Sequence, residues 1–273
     1  MVQIIKADGT FAKFEEHKIE RTVLKAGGSR EFAKEIAKQV EKEIYENIST
    51  KEILKITLRL LKEKPSIALK YNLKTAIMSL GPHGFTFEEF FSQILQNYDY
   101  KTKVGLNLKG KATTHEVDIL AEKENKKYMI EAKYHNLAGT HTNSNVAMYT
   151  YARFLDLHNH PNNKINQGWL VTNTKCTPHA IEYANGVGLK ITSWQYSSDK
   201  GENLQELIKV KKLYPITILN SVTGDIKDKL AKAKVVLVKS LMTCNLEELK
   251  NKTDLTEKEI NKLLKEAKEL YEE

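Results

Sequence analysis

At 273 residues, with 41% hydrophobic and 8% aromatic side chains, the chain has the composition of a folded protein of two or three domains and not of a disordered one. Its 43 basic residues exceed 35 acidic ones for a net charge of +8, which favours a polyanionic partner only mildly, because no basic tail concentrates the excess. Two cysteines, Cys176 and Cys244, do not make a disulfide framework or a zinc knuckle, and no apolar run reaches the length of a membrane span or signal segment, so the sequence reads as cytoplasmic.

In chain order, the first elements are two short strands at 3–6 and 11–14 turned by Asp8-Gly9, a strong hairpin signal. Amphipathic helices are predicted over 16–26, 30–46, 50–63 and 66–80, with Ser49-Thr50-Lys51-Glu52 marking a helix start. Residues 1–82 thus form a small α+β domain, closed by the helix-breaking Gly81-Pro82-His83-Gly84.

A helix at 86–97 follows, with Phe87, Phe90, Phe91, Ile94 and Leu95 on its apolar face. Strands are predicted at 101–108, 115–123 and 126–134, then a helix at 145–157, a strand at 167–173, a helix at 178–184 and a strand at 189–194. This order makes 83–200 a mixed β-sheet flanked by helices. In 201–273 the helical period returns over 204–213, 222–239, 245–250 and 256–271, the last opened by the capping box Thr256-Glu257-Lys258-Glu259.

The chemistry concentrates in two strands, His115-Glu116-Val117-Asp118-Ile119-Leu120 and Tyr128-Met129-Ile130-Glu131-Ala132-Lys133-Tyr134. Alternate strand residues share a face, so the hairpin sets Asp118 near Glu131 and puts Lys133 beside it. Two such carboxylates repel unless a cation lies between them, and hard oxygen ligands suit Mg2+ or Mn2+. A lysine there can orient water and offset charge growing on an attacked phosphate, which reads as a metal-dependent phosphodiesterase. The plainer alternative is a solvated charged hairpin, but Val117, Ile119, Met129, Ile130 and Ala132 make these apolar strands in which unpartnered charges are costly. Glu116 shares the strand face of Asp118 as a further candidate. His115 and His135 flank the motif as contacts for a phosphate or water, or as polar strand ends.

With Phe87-Glu88 before it and Gly168-Trp169-Leu170-Val171-Thr172-Asn173 and Thr177-Pro178-His179-Ala180-Ile181-Glu182-Tyr183-Ala184 after it, this segment resembles Mrr-type restriction endonucleases of the PD-(D/E)XK superfamily. The resemblance covers roughly 85–195 and implies a restriction-endonuclease-like α/β core in which Asp118 and Glu131 ligate the metal, Glu88 contributes from the first helix, and Lys133 assists the water. Many such proteins carry a glutamine on the helix after the lysine strand; residues 143–149 here offer none, leaving Asn145 as the substitute.

Residues 1–80 resemble the ATP-cone domain through Ile5-Lys6-Ala7-Asp8-Gly9, Phe14, Lys18-Ile19 and Ile48-Ser49-Thr50-Lys51-Glu52-Ile53. That implies ATP or dATP as effector, with Lys6, Lys18 and Thr50 for phosphate contacts. Ala7 and Leu54 depart from the family, which keeps open a dimerising or spacing role. The last 45 or so residues look like a helix-hairpin-helix or SAM-like bundle without the phosphate-binding glycines, and so read as a packing or oligomerisation bundle.

The resemblances together imply a metal-dependent DNA endonuclease of type IV restriction character, acting as a dimer or higher homo-oligomer. A Holliday-junction resolvase or repair nuclease, and a nucleotide-responsive DNA-binding regulator with a vestigial nuclease core, are the alternatives.

Overall fold

A computed structural model of the chain describes residues 2–81 and 84–272. The predicted linker therefore falls partly outside the described residues, at Pro82 and His83. The chain divides into two compact units, one of Met1–Ile77, Ile216–Ala233 and Ser240–Glu273, the other of Met78–Pro215 and Lys234–Lys239.

In the first unit, β1 (Gln3–Ile5) and β2 (Phe11–Lys13) form the expected hairpin. Its turn is held by Asp8, whose carboxylate accepts the Thr10 N–H at 2.9 Å, and by Gly9 at φ +79. A two-residue strand, β3 (Ile48–Ser49), joins β1 in parallel and leads directly into α3 (Thr50–Leu60), which opens on a reciprocal capping box between Ser49 and Glu52. Helices α1 (Glu16–Lys25) and α2 (Arg30–Glu43) bury Ile19, Val23, Ala33, Ile36 and Val40 against Ile48 and Ile53. The predicted helix at 66–80 is instead two, α4 (Pro65–Tyr71) and α5 (Leu73–Met78), parted at Asn72, whose N–H bonds both the i−4 and i−3 carbonyls.

The C-terminal helices α10 (Gly224–Lys232), α12 (Leu246–Thr253) and α13 (Glu257–Tyr271) belong to this same unit. Ser66 of α4 donates to the Leu270 carbonyl of α13 at 3.1 Å, and the Glu266 carboxylate accepts the Ser221 N–H at 3.1 Å. The single helical run expected over 222–239 is broken: Lys234 takes the left-handed conformation at φ +60, the buried Val235-Val236-Leu237 leaves the helix to bridge Pro215, and α11 (Val238–Thr243) starts anew. Consecutive β-branched valines favour that extended course.

The second unit is a five-stranded mixed sheet in the order β10-β8-β6-β5-β4. β4 (Lys101–Lys109), β5 (Thr114–Lys123) and β6 (Lys126–Lys133) are antiparallel, whereas β6, β8 (Gln167–Thr172) and β10 (Lys190–Thr192) are parallel. On β8, Trp169 meets Phe91 of α6 (Gly84–Asn97) edge-on at 5.6 Å, while Leu170 packs with Ala147 of α7 (Ser144–His158) and Ala180 of α8 (Pro178–Val187). Adjacent residues point to opposite faces, so α6 covers one face and α7 and α8 the other. Gly168 is glycine because a Cβ there would lie 2.8 Å from the Phe154 ring of α7.

Helix α9 (Leu204–Val210) follows the sheet. Two short strands absent from the sequence reading, β7 (His141–Thr142) and β9 (Lys175–Cys176), pair in parallel. Both cysteines are unpaired, and among the described residues no helix is long and apolar enough to cross a membrane.

Candidate active site

The site forms where the ladders around β5 fail. The β4–β5 ladder passes from Val104↔Ile119 to Leu106↔Val117 without a Gly105↔Asp118 pair, and the β5–β6 ladder stops at Ile119↔Ile130. Gly105 sits at φ +66, a conformation glycine adopts without Cβ strain. Asp118 and Glu131 are thus the next facing residues beyond the last β5–β6 pair. In place of a strand carbonyl, the Asp118 carboxylate takes the Ala132 N–H at 2.7 Å. Lys133 is exposed, two residues along the strand from Glu131 and on the same face.

Helix α6 brings Glu88, half-buried, with Phe87 and Phe90 on either side of it fully buried. Burial first, then the charges of Asp118, Glu116 and Glu131, push the Glu88 carboxyl up to about 7. Glu131 is likewise pushed up to about 7, by burial and then by Asp118, against the pull of Arg153 and Lys133. Burial also raises Asp118, opposed by the Ala132 N–H and Arg153. Glu116, exposed on β5, acts in the same field. With all four carboxyls ionised, Arg153 and Lys133 leave the cluster short of positive charge by what one divalent cation carries.

Among the described residues, no three His, Cys, Asp or Glu side chains are gathered as a metal cage. Two adjacent hard carboxylates in a field short of positive charge nevertheless suit Mg2+ or Mn2+, since Mg2+ commonly takes one or two protein carboxylates and completes its shell with water and substrate phosphate.

Arg153, on α7, is the residue that strand-pattern reasoning missed. It is 8% exposed and donates from Nη1 to Glu131 Oε2. Its signal was an arginine in the apolar helical row of Ala147, Thr150, Phe154 and Leu157, a place where charge needs a buried partner. Asn145 lies exposed in the first turn of the same helix, so Arg153 is the α7 side chain that reaches the acid.

The two histidines serve the frame. His135 Nε2 lies 2.9 Å from the Thr142 hydroxyl, while its N–H and carbonyl bond the buried Asn173 side chain at 2.9 and 2.8 Å. His115 Nε2 lies 2.8 Å from Asp156, which also accepts the Ala112 N–H at 2.8 Å and so pins the β4–β5 turn.

In the first unit, the pair Ile5↔Ser49 sets Lys6 and Thr50 next to each other at the end of the β1–β3 ladder. Lys6 is exposed and Thr50 opens α3. Lys18 is paired with Glu15 at 2.5 Å.

Three family models match successive segments of the chain. The ATP cone domain family matches residues 2–73, the Mrr restriction endonuclease family residues 81–208, and the family described as AF1548-like, C-terminal, residues 214–271. An uncharacterized protein of Archaeoglobus fulgidus is 35% identical over 179 residues, covering 66% of this chain and 98% of its own length. The crystal structure of the protein of unknown function AF1548 superposes with a TM-score of 0.61 at 34% identity, over 69% of this chain and 98% of its own. This chain belongs to the family of Mrr-like restriction endonucleases with an N-terminal ATP cone.

Proposed function

We propose that the protein is a metal-dependent DNA endonuclease of type IV restriction character, with Asp118, Glu131 and Glu88 as its acids and Lys133 as its base-side cation. The observation that carries this reading is the carboxylate cluster at the break in β5, where Glu88 and Glu131 are each pushed up to about 7 by burial and by neighbouring acids. Perturbed carboxylates of this kind mark sites with a task.

Asp118 and Glu131 would hold Mg2+ or Mn2+, which when bound supplies Lewis acidity toward the phosphate and a counter-charge to the cluster. The Ala132 N–H orients Asp118 by donating to its Oδ2, and Arg153 restrains Glu131. Lys133, exposed beside them, can orient an attacking water and offset the negative charge that grows on the phosphate oxygens. Glu88, on α6, adds to the negative field of the cluster.

The test is cleavage of methylated duplex, unmodified duplex and a four-way junction by the purified chain, with Mg2+ and with chelator. Preferential cutting of modified duplex in Mg2+ is the expected result. Preference for the junction would identify a resolvase, and no cutting of any DNA with any divalent cation would overturn the nuclease reading.

The cone would bind ATP or dATP by the start of α3, where the helix dipole suits phosphate, with Lys6 alongside. Calorimetry with each nucleotide should give saturable binding that Lys6→Ala or Thr50→Ala weakens about tenfold, a loss of roughly 1.4 kcal/mol. Lys18, engaged by Glu15, should matter less. Absence of heat with either nucleotide would leave the cone as a spacer.

A further inference from the structure

The acid cluster contains one cation that neither the strand pattern nor the family resemblance supplied. Arg153 donates from Nη1 to Glu131 Oε2, its Nε is buried with no hydrogen-bond partner, and its guanidinium carbon stands 5.3 Å from the centre of the Tyr149 ring. A buried ion pair of this sort is seldom more stabilising than an apolar pair of the same volume, and the unpaired Nε adds to its cost. Stability alone therefore does not account for an arginine in the row of α7 that otherwise packs Ala147, Phe154 and Leu157.

What the contact does is fix a carboxylate. A planar guanidinium held by its helix and by Tyr149 grips one oxygen of Glu131 and leaves Oε1 for a ligand. The restraint matters because a glutamate side chain has several rotamers, and a ligand group displaced by about an ångström costs much of its function.

We propose that Arg153 is a positioning residue of the nuclease site, holding Glu131 so that its second oxygen meets the divalent cation. This rests on Asp118 and Glu131 being the cation ligands. It gives α7 the part that a side-chain amide on this helix was expected to play, from a position two turns beyond Asn145.

Three roles predict three different results. If Arg153 only stabilises the fold, its loss lowers the melting temperature and leaves cation affinity per folded molecule unchanged. If it is a counter-ion competing for Glu131, its loss tightens cation binding. If it positions Glu131, its loss weakens binding.

The experiment is Mn2+ binding to the full chain without DNA, read by calorimetry and by the paramagnetic signal of free Mn2+, for wild type, Arg153→Met, Arg153→Lys, Glu131→Gln, Asp118→Asn and the double variant Glu131→Gln/Arg153→Met. Thermal melts run in parallel to fix the folded fraction. Arg153→Met should weaken Mn2+ binding about tenfold, Arg153→Lys should recover part of that loss, and the double variant should bind no more weakly than Glu131→Gln alone, because Arg153 acts through Glu131. Unchanged or tighter binding by folded Arg153→Met overturns the proposal, and so do additive losses in the double variant. Should Arg153→Met not fold, the Arg153→Lys isotherm decides: an affinity equal to wild type overturns the proposal and a weaker one supports it. Wild-type Mn2+ binding by both Glu131→Gln and Asp118→Asn would instead remove the cation site itself, whatever Arg153 does.

Discussion

Asp118→Asn protein is expected to bind DNA at least as tightly as wild type and to cleave it about a thousandfold more slowly or worse. The asparagine keeps an oxygen to accept the Ala132 N–H, which Asp118 now takes at 2.7 Å, so the strand geometry survives while the negative charge does not. Loss of one ligand charge removes several kcal/mol of transition-state stabilisation, and about 4 kcal/mol corresponds to a thousandfold in rate. Asp118→Ala should be equally inactive and also less stable by about 1–3 kcal/mol, because it leaves that amide without an acceptor. Single-turnover nicking of supercoiled plasmid in Mg2+, beside a DNA-binding isotherm in Ca2+, separates chemistry from binding. Glu131→Gln and Lys133→Ala belong in the same series with losses of similar order. Undiminished cleavage by Asp118→Asn would sink the mechanism, and so would a loss explained wholly by weaker DNA binding.

Glu88→Gln should have the opposite effect on the fold. Because Glu88 titrates near 7 in the folded protein and near 4.5 when unperturbed, folding takes up a proton between those values. The stability this group contributes is present below about 4.5 and is lost as pH rises through 7. Glutamine carries no charge at either pH, so the variant should be more stable than wild type at pH 8 and no more stable at pH 4. Since Glu88 is only half-buried, solvent screens much of the shift, and a gain of about 1 kcal/mol, or about 2–4 °C in Tm, is expected. Mg2+ should raise the wild-type melting temperature at pH 8 more than at pH 5.5, because only ionised carboxylates hold the cation. A gain from Glu88→Gln that persists undiminished at pH 4 would place Glu88 outside the acid field.

The nuclease unit was legible because its elements carry strong local signals. Period-two strands flank the Asp118 and Glu131 positions, α6 presents Phe87, Phe90, Phe91 and Ile94 in a helical row, and α8 opens on Thr177-Pro178, whose threonine accepts the Ala180 N–H at 3.2 Å. Arg153 was not read because its partner lies 22 residues earlier on another element, and helical spacing shows that a residue faces inward without showing what it meets. The two-residue strands β7 and β9 are too short for any period to register. The break at Lys234 was missed because the surrounding sequence keeps its helical spacing and the left-handed turn comes at a lysine, a residue that gives no warning of positive φ.

The place of α13 was the least accessible feature, since its apolar row fits any complementary surface. That it packs on α4 within the first unit has a consequence for how the chain is made. A ribosome releases residues in order, and every residue of the nuclease unit, through Lys239, is delivered before Leu270 exists to accept the Ser66 hydroxyl. The cone is thus begun first and finished last: its hairpin and first helices emerge early, then wait with the α4 surface uncovered until synthesis reaches the final helix. A nascent chain holds a complete nuclease sheet while the unit that would sense nucleotide is still missing part of its packing.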